Sequence, residues 1–518
     1  MPDDYTDHER HEDIKVLHGM GYAQELSRSM SRFSNFAISF SIICILSGGI
    51  NSFAQAISSV GGAGAGIGWI TGCIVSGMFA LAMAQIASAF PTAGGLYHWA
   101  SILGNRFWGW LTAWLNLLGL ITVLGAINIG TAYFFAGTFG SMFGFTGTDG
   151  QIVTFVAAIT IIQAVFNHVG IRVTTLLTDF SGYLIFATTA VLVVACLWFA
   201  PAIDISRLWT FTNFSGEAGG NVFPQSDNIG YLFLLSLLLP IYTITGYDAS
   251  AHTSEETKAA AMSVPQGIVS AVIWSSLAGW VMIGAITLAI PDLAVAAGQG
   301  WGMFFGTMDA IMPSGLKTLL YFFILIAQLL CGLATVTSAS RMLFAFSRDD
   351  GVPVGSKALA SVSPKYRTPV TAIWTATALC ILYVIMAMMI KVGETSIYVI
   401  VVNSTLVFLF LSFTIPLIAA MFAYGGPKWP NPGPWAMSTG IYKLVTVLAV
   451  VGMVVIVFIA VAPPNGRVLY VVLGFIALAL LLWVTVESRR FEGPPTGERI
   501  AARKAVIAKA EAAVGETG

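Results

Sequence analysis

Long apolar runs separated by short polar or Pro/Gly-rich stretches dominate this chain. About twelve runs are long enough to cross the roughly 30 Å hydrocarbon core of a bilayer as helices. They cover 34–59, 66–90, 107–140, 152–167, 174–199, 229–253, 265–290, 316–347, 370–390, 396–423, 441–461 and 467–487. The pattern predicts an all-α integral membrane protein. The third and eighth runs exceed one bilayer thickness, which predicts tilt or extension beyond the lipid. The fourth is short.

Two runs are interrupted near their middles, one by Ser47-Gly48-Gly49 and the other by Thr245-Gly246-Tyr247-Asp248. Lipid supplies no hydrogen-bond partners, so backbone released at membrane depth must line a cavity or be buried in protein. Glycines in a span also serve close helix packing. A matched pair of interruptions, each in the first span of a set of five, instead points to the binding site of a secondary transporter. An odd number of spans per set inverts the second set relative to the first. The predicted architecture is therefore a five-plus-five inverted repeat with two extra C-terminal helices. The repeats cover 34–199 and 229–423, joined by an extracellular loop at 200–228. A linker at 424–440 leads to the last two spans at 441–487, with an N-terminal segment at 1–33 and a tail at 488–518. Residues 291–315 are expected to form a short helix over the extracellular vestibule, and Thr496 to Val514 a surface helix near the membrane.

Composition agrees with the pattern. Of 518 residues, 57% are hydrophobic and 9% charged, against about 25% charged in soluble domains. A net charge of -1 and the lack of a basic tract argue against nucleic acid. The polar, acidic first 30 residues are wrong for a cleavable signal peptide. With the N-terminus in the cytoplasm, Arg28, Arg32, Arg106, Arg172, Lys258, Arg341, Arg348 and the basic tail fall inside. Only Arg207, Lys317, Lys391 and Arg467 fall outside, as the positive-inside rule requires. Both termini are expected in the cytoplasm. The five cysteines form no CxxC pair and read as packing residues. No metal-spaced His cluster, nucleophile elbow or phosphate loop argues for an enzyme or a cofactor.

The interruptions suggest how a small zwitterion would bind. Amides released around Ser47, Gly48, Gly49 and Ile50 suit a carboxylate. Carbonyls near Tyr242 and Thr245, with Gly246 allowing non-helical backbone, suit an ammonium. Tyr242 and Tyr247 offer an aromatic gate, or are core aromatics. Asp248, a carboxylate within a span, marks a substrate, ion or proton site by default, or caps the half-helix that follows. His252 lies one turn on, so the two can titrate together. Glu255 and Glu256 read as gate or solvated residues. Among the other polar residues within spans, Asn116, Thr337 and Ser338 are the preferred site candidates. Asp179 is placed near the cytoplasmic end of the fifth span.

A family resemblance rests on specific stretches. Phe90-Pro91-Thr92-Ala93-Gly94-Gly95-Leu96-Tyr97 resembles a hallmark of the amino acid–polyamine–organocation (APC) superfamily. Ser47-Gly48-Gly49-Ile50 is similar to that superfamily's carboxylate loop, Gly-Ser/Thr-Gly-Ile, departing at its first two positions. Tyr22 to Arg28, Asn35 to Ser41 and Gly246 to Thr257 resemble the amino acid/choline transporter branch. The resemblance covers residues 20–490 and implies a permease for amino acids or related amines, working by alternating access across the plasma membrane. A permease for choline, gamma-aminobutyrate or polyamines, or a sensor on the same fold, remains an alternative. Some proton-coupled relatives carry a lysine in the fifth span. Here Ile185 falls near that position and 174–199 holds no Lys or Arg. The coupling ion stays open between H+ and Na+, the latter near Thr337 and Ser338. Nothing in the chain points to an oligomeric state.

Overall fold

The computed structural model describes residues 5–389 and 397–514. Lys391 and the junction between the ninth and tenth apolar runs lie outside the described residues. The described chain is helical throughout. Two isolated bridges, Met30 with Thr257 and Tyr424 with Trp429, are its β-type pairings. Eleven segments are long and apolar enough to cross a membrane, and a shorter apolar segment, Ile229–Thr243, belongs to the broken sixth span.

In chain order the helices are α1 (Asp7–Gly19), α2 (Arg32–Ile43), α3 (Ile45–Asn51), α4 (Phe53–Val60), α5 (Trp69–Ala89) and α6 (Leu96–Trp99). Next come α7 (Arg106–Thr138), α8 (Asp149–Val169), α9 (Ile171–Phe199), α10 (Ile229–Ser236), α11 (Leu238–Thr243) and α12 (Ala249–His252). α13 (Ala260–Ala289), α14 (Leu293–Gly298), α15 (Met303–Ile311), α16 (Ser314–Arg348), α17 (Ser356–Leu359) and α18 (Val370–Met389) follow. α19 (Ile397–Ala423), α20 (Thr439–Val461), α21 (Gly466–Leu482), α22 (Ser488–Arg490), α23 (Glu498–Ala502) and α24 (Lys504–Ala513) complete the chain.

Polar residues set the helix ends. Ser31 accepts from the Ser34 amide to start α2, and the Asn105 side chain caps α7 through the amides of Phe107 and Trp108. Each cap satisfies donors that a helix leaves open. The fourth apolar run extends to a full 21-residue helix, because Thr148 and Gln151 form a capping box upstream of the apolar stretch. The cap of α13 is tertiary. The Asp13 carboxylate, from α1, accepts from the amides of Ala259 and Ala260 at 2.9 and 3.0 Å.

The middle of the bundle is built from the interrupted spans. α2 and α3 lie against α16 and α13, α3 also touches α7, and α11 and α12 pack on α3 and α2 respectively. α7 packs extensively on α19 and α16. α14 and α15 form the short helical cover expected of residues 291–315. The tail forms mostly exposed surface helices, anchored at two buried residues. α24 packs on the N-terminal segment, with Ile507 and Glu511 buried, and Glu511 accepts from the Gln24 amide at 2.9 Å. A carboxylate acceptor at residue 511 and unsatisfied backbone at residue 24 hold the two ends on one face.

Candidate functional site

The first break sits at Cys44, three residues before Ser47. Cys44 has φ 24 and ψ 81, and separates α2 from α3. Ser47, Gly48, Gly49 and Ile50 are helical and buried, contrary to the expectation that they form the unwound loop. The carbonyl of Cys44 accepts from the amides of Ser47 (2.7 Å) and Gly48 (3.2 Å), so those donors are spent. The glycines have another use: a Cβ on Gly48 would lie 2.9 Å from the Cα of Thr243. They mark where the second broken span crosses, while the bend itself falls on a residue with no turn signature.

α16 repairs the damage at this bend. Ile42 O accepts from the Cys331 thiol at 3.2 Å, and Leu46 O accepts from Gln328 Nε2 at 3.1 Å. Cys331 thus has a bonding role beyond packing.

The second break runs from Ile244 to Asp248, as expected. Gly246 takes φ +101, a region that disfavours side chains. A Cβ there would also overlap Cγ2 of Ile42. The two breaks therefore touch. The carbonyls of Thr243, Ile244 and Thr245 have no backbone donor among the described residues. The Thr245 hydroxyl donates to Ile241 O at 2.6 Å and is committed to its own helix. Tyr242 is buried, and Tyr247 is fully buried with its ring 5.5 Å from that of Phe413. Tyr247 is thus a core aromatic on α19, although its hydroxyl has no partner.

Asp248 and His252 meet as the one-turn spacing predicts. Asp248 Oδ2 lies 3.3 Å from His252 Nε2 and accepts from Asn116 Nδ2 at 3.2 Å. Asn116 also reaches Ser412 Oγ at 3.3 Å, which brings α7 and α19 to the same point. His252 Nδ1 lies 3.2 Å from the carbonyl of Ala93, a pure acceptor, so Nδ1 carries a proton. Asp248 Oδ1, Asn116 Oδ1 and the Tyr247 hydroxyl are buried without partners. Such unmet polar atoms are rare in folded interiors and call for a ligand, ion or water.

Thr337 and Ser338 do not act together. The Thr337 hydroxyl donates to Asn167 Oδ1 of α8 at 2.7 Å, away from the first break. Ser338 is buried with a free hydroxyl. One face of α16 meets α2 through Ala334, which packs with Ile38 and Ile42 in a small apolar cluster.

Below Asp248, towards the face carrying the termini, two buried ion pairs join the second broken span to α16. Glu255 is not solvated: it receives Arg348 in a two-pronged pair at 2.7 and 3.0 Å, and the Ala93 amide at 3.0 Å. Burial works against its charge, but Arg348, that amide and the nearby His98 outweigh it and hold the carboxyl below its ordinary range. Glu256 pairs with Arg341 at 2.9 and 3.0 Å, both side chains fully buried. Sequence reasoning missed this second pair, although Glu256 and Arg341 sit in otherwise apolar surroundings that demand a partner.

Further out, Asp349 Oδ2 accepts from Tyr22 (2.6 Å) and Tyr97 (3.0 Å) and lies 3.3 Å from His98 Nε2. Burial pushes the two phenols up and the imidazole down. The N-terminal segment is tied to these pairs: the Met30 amide donates to Glu256 O at 2.8 Å, and Lys258 returns to Met30 O at 3.0 Å. The stretches that carry the family resemblance bond to one another here. Asn35 Nδ2 reaches Ser250 O and Thr257 Oγ1, and Ser39 Oγ reaches Tyr247 O. Asp179 is half-buried at the first broken span, accepting from Ser34 Oγ at 2.9 Å.

On the opposite face a cavity of about 420 Å³ remains, lined by Ile50 and Asn51 of the first break, Tyr133 and Phe134 of α7, and Trp301, Phe304 and Phe305. The ion pairs therefore lie on the side of the termini, and this cavity on the other side of the first break.

Comparison with known proteins agrees with this geometry. The family model described as "Amino acid permease" matches residues 30–486. The chain is 30% identical to amino-acid permease BAT1 of Arabidopsis thaliana, over 92% of this chain and 95% of that protein. It is 29% identical to amino-acid permease 2 of Neurospora crassa, over 93% of this chain and 89% of that protein. Identity to the GABA-specific permease of Saccharomyces cerevisiae is 30%, over 70% of this chain and 64% of that protein. The chain belongs to the amino acid permease family of the APC superfamily. It is a multi-pass membrane protein and a secondary transporter of amino acids or related amines, not an enzyme.

Proposed function

We propose that this transporter moves a small zwitterionic amino acid across the plasma membrane, with both termini in the cytoplasm, and that protons drive it through Asp248 and His252. The observation that carries the substrate reading is the contact between the two breaks, Gly246 on Ile42 and Gly48 on Thr243. It sets the bend at Cys44, where α3 starts, against open carbonyls at Thr243 to Thr245. A carboxylate suits the positive end of the half-helix that starts at the bend, and an ammonium suits the carbonyls. Gamma-aminobutyrate, named for one relative, is within this class. The excess of Lys and Arg on the termini's side of the spans supports the orientation.

The proton reading rests on the forced tautomer of His252. With Nδ1–H bound to Ala93 O, a second proton arriving at the pair neutralises the Asp248 carboxylate. That changes the charge facing Asn116 and the vestibule, and proton release below the two ion pairs, read as a gate, would complete the exchange. Sodium is less well supported, because the Thr337 hydroxyl is turned to Asn167.

Thermal stabilisation across amino acids, gamma-aminobutyrate, choline and polyamines tests the substrate class, since a ligand stabilises the state it binds. Shifts confined to choline or polyamines would remove the carboxylate from the reading. For coupling, proteoliposomes are given either an inward proton gradient or an inward sodium gradient. Accumulation driven by protons and lost in Asp248→Asn, with substrate exchange retained, is the expected result. Accumulation driven by sodium alone overturns it.

A further inference from the structure

A second pocket, of about 430 Å³, lies below the gate between the end of α16 and the C-terminal tail. Its volume falls within the roughly 300–1,000 Å³ of small-molecule sites. Asp349, Asp350, Arg490, Glu492, Arg499 and Arg503 supply its charge. Three of these are already spent: Arg490 pairs with Glu487 at 2.7 Å, and Arg499 with Glu492 at 3.0 Å.

The other three are not. The Asp349 side chain is fully buried, yet its Oδ1 has no hydrogen-bond partner. The nearest charge, Arg503 Nη1, stands 3.6 Å away, beyond hydrogen-bond reach. Asp350 is exposed, held beside it by a backbone with φ +58, and its carboxylate makes no ion pair among the described residues. The pocket wall thus holds an unpaired carboxylate at Asp350, the Oδ1 of Asp349 without a hydrogen bond, and the loosely held guanidinium of Arg503, which together form the complement of a zwitterion. An ammonium would fill the place between Asp349 Oδ1 and Asp350, and a carboxylate would take the guanidinium of Arg503 in a charge-assisted pair.

We infer that this pocket binds a free amino acid from the side of the termini, apart from the central site, and that its occupancy holds the gate shut. The link to the gate is short. Asp349 Oδ2 anchors Tyr22, Tyr97 and His98, and its neighbour Arg348 holds Glu255 while stacking over the Tyr22 ring at 3.9 Å. A ligand bridging Asp349 to Arg503 would fasten α23 and α24, and with them the Glu511 contact to Gln24, against the N-terminal segment. The accumulated product would then slow further transport. This consequence rests on the gate as described above, whereas binding at the pocket does not.

Limited trypsin digestion of the purified full-length protein tests binding locally, because Arg499 and Arg503 line the pocket. Tail peptides are followed by mass spectrometry with 5–10 mM (roughly physiological for metabolites, and weak sites need such levels) alanine, glutamate or gamma-aminobutyrate. Methylamine and acetate serve as the two half-ligands. At least one amino acid should slow tail release threefold or more in the wild type. Gly48→Leu, which blocks the central site, should keep this protection. Asp349→Asn and Asp350→Asn should lose it, and the exposed position of Asp350 carries the test even where Asp349→Asn misfolds. Protection lost in Gly48→Leu but kept in Asp350→Asn would place the effect at the central site and overturn the inference. Protection by methylamine or acetate alone would refute the zwitterion, and no protection by any amino acid would refute the pocket.

Discussion

Removing Arg341 should open the gate. In the closed state Arg341 and Glu256 are both fully buried and joined by two hydrogen bonds. Arg341→Met leaves the Glu256 carboxylate buried without its counter-charge, a loss of about 3–5 kcal/mol for such pairs. Once the gate opens, Glu256 meets water and the penalty vanishes, so the cost falls on the closed state alone. At 1.4 kcal/mol per tenfold, the closed-to-open ratio should fall by roughly two to three and a half orders of magnitude. Cys331 reports the change, being fully buried with its thiol bonded to Ile42 O below the first break. With Cys44, Cys73, Cys196 and Cys380 replaced by alanine, Cys331 should react with a small water-soluble thiol reagent at least a hundredfold faster in Arg341→Met. The double variant Glu256→Gln/Arg341→Met removes both charges and should return the rate most of the way. An unchanged rate in the single variant, at a wild-type melting temperature, would show that the pair does not hold the gate. A double variant as fast as the single one would show that the unpaired charge is not the cause.

Gly246→Ala should cost about 2–6 kcal/mol, from strain at positive φ and the clash with Ile42. It should abolish ligand-induced stabilisation in a thermal melt, and wild-type melting with intact binding would refute the contact between breaks. Asp13→Asn should weaken the cap on α13 by about 0.5–2 kcal/mol and speed proteolysis of the first 30 residues, and equal cleavage rates would count against that role. Glu255 has its carboxyl held below the ordinary range, so the stability it adds is complete above about pH 4–5 and lost as pH falls through its lowered value. The difference in melting temperature between wild type and Glu255→Gln should therefore stay constant from about pH 5 to 8. His98 acts over a different window. Its pKa is depressed by burial, so stability should decline as pH drops below about 6.5, and His98→Gln should flatten that decline.

The spans were legible because lipid demands long apolar helices, and every predicted run within the described residues has its helix. The second break was legible too: Gly246 and Asp248 are out of place in a continuous span, and both are used. The first break was misplaced because its signal was misread. Gly48 and Gly49 are small to admit Thr243 and α13, whereas the bend falls on Cys44, whose side chain gives no hint of unusual backbone. Glu256 with Arg341 went unpaired in the sequence because the partners lie 85 positions apart. The same is true of Tyr22 and Asp349, since hydropathy reports burial but not which polar groups meet. Thr337 and Ser338 are adjacent in sequence, yet on a helix they point about 100° apart. One hydroxyl therefore faces α8 while its neighbour does not.

The cap that Asp13 places on α13 has a meaning for biosynthesis. The donor amides lie 246 residues downstream of the carboxylate that satisfies them. At roughly 5–20 residues per second, the first turn of α13 emerges about 12–50 s after Asp13. Until then Asp13 lacks these two donors. The contact between the acidic segment and the bundle therefore waits for about half of this sequence to be made, and it forms at the start of the seventh span.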